Sequence, residues 1–120
     1  MPFTPTILAE RQHDYIINPK SLKSPFMTMA FDSTELARKE LVATLHPADL
    51  TARPQVLEEK RNPEYYSIVK AFEKITGVGG VLNTSFNLHG YPLGPEEAIF
   101  TFENSELDGL LMNDILIMRG

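Results

Sequence analysis

Apolar residues along this chain come in short runs, and their spacing changes character several times. Over residues 62–77 the spacing is helical: Asn62 is a good N-cap, Pro63 suits the first helical position, and Tyr65, Ile68, Val69, Phe72 and Ile75 recur at helical intervals. Gly77 ends this helix as a C-cap glycine. Residues 78–83 then read as a short buried strand, so that helix and strand form one packed αβ unit. A second helix is predicted from Pro95 to near Glu103, with Glu96 and Glu97 at its positive end and Ala98, Ile99 and Phe102 facing inward. Residues 110–112 and 115–118 are short apolar runs around Asn113-Asp114, the pattern of a closing hairpin. Upstream, residues 25–31 and 53–57 read as strands, Ser33 or Thr34 caps a short helix through Glu40, and residues 7–15 read as a further short helix. The mixture predicts an α/β fold, with α+β as the alternative, built on a twisted mixed β-sheet with packed helices. No repeat or linker-like tract interrupts it, so residues 1–120 read as a single domain.

Composition narrows the function classes. A chain of 120 residues with 42% hydrophobic content can bury one core, yet is short for a complete two-substrate enzyme. No apolar run approaches the ~20 residues needed to span a bilayer. The N-terminus lacks a signal-peptide pattern and there are no cysteines, so a cytoplasmic protein is expected, without a membrane partner. A formal charge of −5 argues against nucleic acid, which needs clustered Lys and Arg. The acidity gathers at the C-terminal end, where Glu96, Glu97, Glu103, Glu106, Asp108 and Asp114 are offset only by Arg119. A solvated face explains it.

The candidate chemistry lies where the strand of residues 78–83 ends. Asn83, Thr84, Ser85 and Asn87 are neutral donors and acceptors delivered by a strand, suited to gripping phosphate, ribose or a urea-like group; the plainer reading is a polar turn. Arg53, between Ala52 and Pro54, either lies on an exposed strand edge or faces a cleft, where its guanidinium would bind a carboxylate or phosphate through two oxygens. Strand alternation would put Gln55 on the same face. His46 with Asp49 reads equally as a cleft pair or as a turn anchor around Pro47, and His89 as a loop residue or a ligand contact. No two histidines have the spacing of a helical ligand pair, so no metal is expected in this chain. Ser85 has no nearby base in the sequence to make it a nucleophile, and catalytic residues stay unassigned.

Several blocks, in order, carry a family resemblance: Pro2-Phe3-Thr4-Pro5-Thr6-Ile7-Leu8, Ser24-Pro25-Phe26-Met27-Thr28, His46 with Asp49, Thr51-Ala52-Arg53-Pro54-Gln55, Asn62-Pro63-Glu64-Tyr65-Tyr66, residues 82–90, and Pro95-Glu96-Glu97-Ala98-Ile99. Over nearly its whole length the chain resembles the C-terminal region of carbamoyltransferases of the nodulation and antibiotic O-carbamoylation type. The segment Thr84-Ser85-Phe86-Asn87 also resembles the nucleotide-gripping segment of threonylcarbamoyl-adenylate synthases, whose fold that region shares.

The resemblance implies ATP and carbamoyl phosphate as substrates, carbamoyl-adenylate as the product formed in this domain, and transfer to a hydroxyl in a larger metal-binding N-terminal domain. It implies that Arg53, Gln55, Asn83, Thr84, Ser85 and Asn87 contribute to the site, with His46 and His89 as further candidates. Met1 stands where the family places an arginine, Leu50 where it places a glycine, and Tyr91 where an acidic residue is common. These departures imply a chain lacking the upstream part of the domain, acting as a split subunit or excised domain; the competing class is a non-catalytic binding or assembly module. An uncovered strand edge or apolar patch near residues 2–8 or 26–31 would then favour self-association, most simply a homodimer, with Phe3, Ile7, Phe26 or Met29 at or near the contact.

Overall fold

The computed structural model describes residues 3–20, 22–26, 28–83, 95–112 and 114–119. Its helices and small sheets make an α/β fold, divided by packing into two units, residues 1–84 and 85–120. Among the described residues no helix is long and apolar enough to cross a membrane.

The first unit is organised around β1 (Thr4–Leu8), all five of whose residues are buried. It pairs in parallel with β5 (Gln55–Leu57) and antiparallel with β6 (Gly80–Asn83), in the order β5-β1-β6. Pro5 has no N–H to give, but the register with β5 begins only at Thr6, beyond it. A second, antiparallel sheet runs β2 (Ile16–Ile17), β3 (Phe31–Ser33), β4 (Thr51–Ala52). Ile7, Tyr15, Ile16, Phe31, Leu41, Ala52 and Val56 form one buried cluster drawn from both sheets. Among its described residues this unit holds three α-helices: α1 (Gln12–Tyr15), α2 (Glu35–Glu40) and α3 (Pro63–Thr76).

Local signals act as expected in two of them. The Thr34 hydroxyl accepts from Ala37 N at the start of α2 and donates to the Asp14 carbonyl, so one cap also docks α2 on α1. Asn62 Oδ1 accepts from Tyr65 N, Pro63 opens α3, and Gly77 closes it with φ 77°, in the left-handed region.

The periodicity that marks α3 gives its buried face only in part. Val69 is fully buried with Tyr65 and Tyr66 packed near it against Leu8 and Leu57, whereas Ile68, Phe72 and Ile75 are exposed, Ile75 to 85%. Polar contacts set this rotation. The Tyr65 hydroxyl donates to Thr6 Oγ1 at 3.0 Å, the Tyr66 hydroxyl to Glu10 at 2.7 Å, and Glu73 accepts from both Arg11 and Lys70.

Four other expectations change. Residues 7–15 are not one helix: β1 runs to Leu8, a 3-10 turn spans Ala9–Arg11, and only α1 is helical, because β1 is claimed by ladders on both sides. Among the described residues of 25–31, strand pairing starts only at Phe31, and Ser24 and Phe26 are engaged in a local turn. Residues 53–57 are not one strand, because the chain leaves one sheet at Ala52 and enters the other at Gln55, with Pro54 unable to donate in between. Residues 3–8 offer no free edge, as β1 is central; Ile7 is fully buried, Met29 half-buried, and Phe3 and Phe26 exposed.

The second unit holds α4 (Pro95–Glu103) and the antiparallel hairpin of β7 (Gly109–Met112) and β8 (Ile115–Met118), as the sequence predicts. Ala98, Phe102 and Leu110 form its core, while Ile99 is exposed rather than inward. Arg119 donates to the carbonyls of Phe102, Ser105 and Leu107, and its guanidinium lies 4.8 Å from the Phe102 ring centre. A cation at the negative end of α4 thus closes the hairpin onto the helix.

Candidate functional site

The crossing between the two sheets creates the site. Ala52 is fixed in the β3–β4 ladder opposite Phe31, and Pro54 is buried, so Arg53 is held at the main chain on both sides while its side chain is exposed. It makes no ion pair or hydrogen bond with any other described residue.

Arg53 lines a pocket of about 660 Å³ in the first unit. A 3-10 turn, Val42–Thr44, contributes Ala43 and Thr44, and the loop after it contributes Leu45, His46, Pro47 and Asp49. Thr51, Ala30, Phe3 and Thr4 complete the lining. The size suits a small organic phosphate, and the mixture of apolar wall and few polar groups is typical of a ligand site.

The loop from His46 to Thr51 is held from within. His46 N donates to Thr51 O and Leu50 N to His46 O, both at 2.8 Å, and His46 Nδ1 accepts from Ala48 N at 3.2 Å. Asp49 Oδ1 accepts from Thr51 N at 3.0 Å and from the Thr51 hydroxyl at 2.8 Å. Those bonds, with His46 as a smaller influence, hold the Asp49 carboxyl below the usual carboxylate range. His46 and Asp49 are therefore both turn anchors and pocket residues, 3.5 Å apart at Nδ1 and Oδ1. Asp49 is occupied by Thr51, which leaves Arg53 as the charge on the wall without a partner among the described residues.

Asn83 approaches from β6. It stands opposite Thr4, whose hydroxyl donates to the Asn83 carbonyl at 3.3 Å, so β6 ends beside a residue of the pocket. Gln55 is not in the lining; its Oε1 accepts from the Thr6 hydroxyl at 3.4 Å, in the layer beneath Tyr65. Thr84, Ser85, Asn87 and His89 lie outside the described residues. Thr4 and Thr44 were not singled out by sequence reasoning, since an isolated threonine carries no signal until the fold places it. A second depression beside Ala9 is edged by Glu10, Glu58, Glu59, Lys60 and Tyr66, and three carboxylates against one lysine make it a poor setting for an anion.

A family model described as carbamoyltransferase C-terminus matches residues 1–119. The chain belongs to that family. An uncharacterised protein of Methanocaldococcus jannaschii is 42% identical over 99% of this chain, which covers 23% of that relative. Nodulation protein NolNO of Sinorhizobium fredii is 36% identical over 98% of the chain and 18% of its own length. Nodulation protein NolO of Bradyrhizobium diazoefficiens is 35% identical over 98% of the chain and 22% of its own length. The chain spans about a fifth of the length of these curated relatives.

Leu50, in the pocket loop, has φ 59°, in the left-handed region, where a glycine is free of strain and a leucine is not. The leucine side chain packs against the main cluster in return.

Proposed function

We propose that this chain is the part of an ATP-dependent O-carbamoyltransferase that contributes to binding ATP and carbamoyl phosphate and to forming carbamoyl-adenylate. The observation that carries this reading is Arg53, exposed, without a partner among the described residues, and on the wall of a pocket sized for such a ligand.

Forming carbamoyl-adenylate from these substrates requires carbamoyl phosphate to be hydrolysed to carbamate and inorganic phosphate, and a carbamate oxygen then to attack the α-phosphorus of ATP while pyrophosphate leaves. Negative charge on the phosphoryl oxygens must be offset and the reactants held in line. Arg53 serves the first need as a bidentate donor. Thr44, Thr51 and the end of β6 at Asn83 serve the second as neutral polar groups. In this reading the acceptor hydroxyl and the metal belong to a larger N-terminal domain, and the carbamoyl-adenylate is passed there.

The test is calorimetric titration with ATP and carbamoyl phosphate separately, on the parent and on Arg53→Ala. A lost charge-assisted bond is worth ~1.5–3 kcal/mol, so the variant should bind at least one of the two about tenfold more weakly. Equal binding by both proteins would remove Arg53 from the site and this reading with it.

A further inference from the structure

The clamp behind Arg53 is a buried serine. Ser24 is only 2% exposed, and its hydroxyl lies 3.0 Å from the Pro54 carbonyl, the residue directly after Arg53, and 3.1 Å from the Phe26 carbonyl. Its own carbonyl accepts from Val56 N at 2.7 Å. Ser24 therefore grips the chain on both sides of Gln55, along the edge of β5 that β1 does not cover. The other flank of Arg53 is fixed by the Ala52 ladder.

From this geometry we infer that Ser24 is a positioning residue for Arg53: its hydroxyl fixes the Pro54 carbonyl and so the direction in which the guanidinium enters the pocket. This rests on the reading that Arg53 holds an anionic ligand. The physical argument is one of leverage. Arg53 lies where the chain passes between two sheets and has no ladder of its own, so the bonds to its neighbours are what set its main-chain direction. An arginine pointed by a fixed main chain loses less freedom on binding, and a small displacement at Pro54 becomes a larger one at the end of a long side chain. A serine suits the position because its one short donor fits where the buried Pro54 carbonyl would otherwise lose a partner.

The experiment is a double-mutant cycle in ligand affinity, using the parent, Ser24→Ala, Arg53→Ala and the double variant. ATP and carbamoyl phosphate are the probes, at a temperature where circular dichroism shows every protein folded. Ser24→Ala should weaken binding about fivefold alone and hardly at all when Arg53 is already alanine, since coupled neighbours are not additive. Ser24→Thr, which keeps the hydroxyl, should restore most of the loss; if Ser24→Ala does not fold, the near-isosteric Ser24→Cys takes its place. A merely structural serine would lower the melting temperature while leaving affinity unchanged, or would weaken binding by the same factor in both backgrounds, and either result overturns the inference. If Arg53→Ala itself binds like the parent, the functional reading fails and this inference falls with it. If Arg53→Ala is impaired and Ser24→Ala is not, only the inference falls.

Discussion

Gly79 and Tyr15 meet in the interior of the first unit, where the backbone N–H of Gly79 donates to the Tyr15 hydroxyl at 2.9 Å. The same hydroxyl accepts from Arg11 Nη2 at 3.1 Å and lies 3.4 Å from Glu40 Oε2. One phenol thus joins α1, α2 and the chain entering β6, and burial raises its pKa above the usual tyrosine value.

Gly79 has no room for a side chain. A Cβ there would lie 2.7 Å from Arg11 Cγ and 2.9 Å from Arg11 Cβ, the stiff inner part of that side chain. Arg11 could yield only by giving up its pairs with Asp14 and Glu73. Gly79→Ala should therefore destabilise the protein by about 1–3 kcal/mol, read as a lowered denaturation midpoint in urea. An unchanged midpoint would mean that Arg11 moves freely.

Acid should weaken the joint between α3 and the turn after β1. Glu73 accepts from Lys70 at 2.7 Å and from Arg11 at 2.9 Å, and these bonds hold its carboxyl below its ordinary value of 4.5. A lowered folded-state pKa gives stability that is fully present above the unfolded value and is lost as pH falls through the folded one. Urea midpoints of the parent should therefore drop as pH falls below about 4.5, and the drop should shrink in Glu73→Gln. Parallel curves for the two proteins would show that the pair contributes nothing to folding.

Leu50 sets backbone strain against burial. Its left-handed φ of 59° costs roughly 1 kcal/mol, and the packed part of its side chain offsets a similar amount. Leu50→Gly should stay within about 1 kcal/mol of the parent, whereas Leu41→Ala, buried and with φ −121°, should cost about 2–5 kcal/mol. Thermal unfolding of both variants distinguishes strain from ordinary packing, and a large loss at Leu50 would show that burial dominates there.

The exposed row on α3 should tolerate charge. Ile75→Lys is expected to change stability by no more than about 0.5 kcal/mol, while Val69→Ala should cost about 2 kcal/mol or more. Chemical denaturation of the two variants is the check, and a costly Ile75→Lys would reveal a partner for that face.

The sequence by itself determined what short-range chemistry can write. Asn62-Pro63 and Gly77 bound α3, Thr34 starts α2, Pro95 starts α4, and the hairpin flanks residues 113 and 114, because caps and turns depend on hydrogen bonds and φ angles within a few residues. The order of short blocks was enough to reach the family. Tertiary structure alone decided the rest. Ile68, Phe72 and Ile75 have the right period for a buried stripe, but Tyr65, Tyr66 and Glu73 turn α3 the other way through partners in β1 and the turn after it, about sixty residues distant. Arg53 and Gln55 look like alternate residues of one strand, yet Pro54 ends one ladder before the other begins, and the two side chains part. The pocket likewise joins Thr4, Thr44 and Arg53, which share no local pattern, since residues far apart in the chain are brought together by strand pairing and burial.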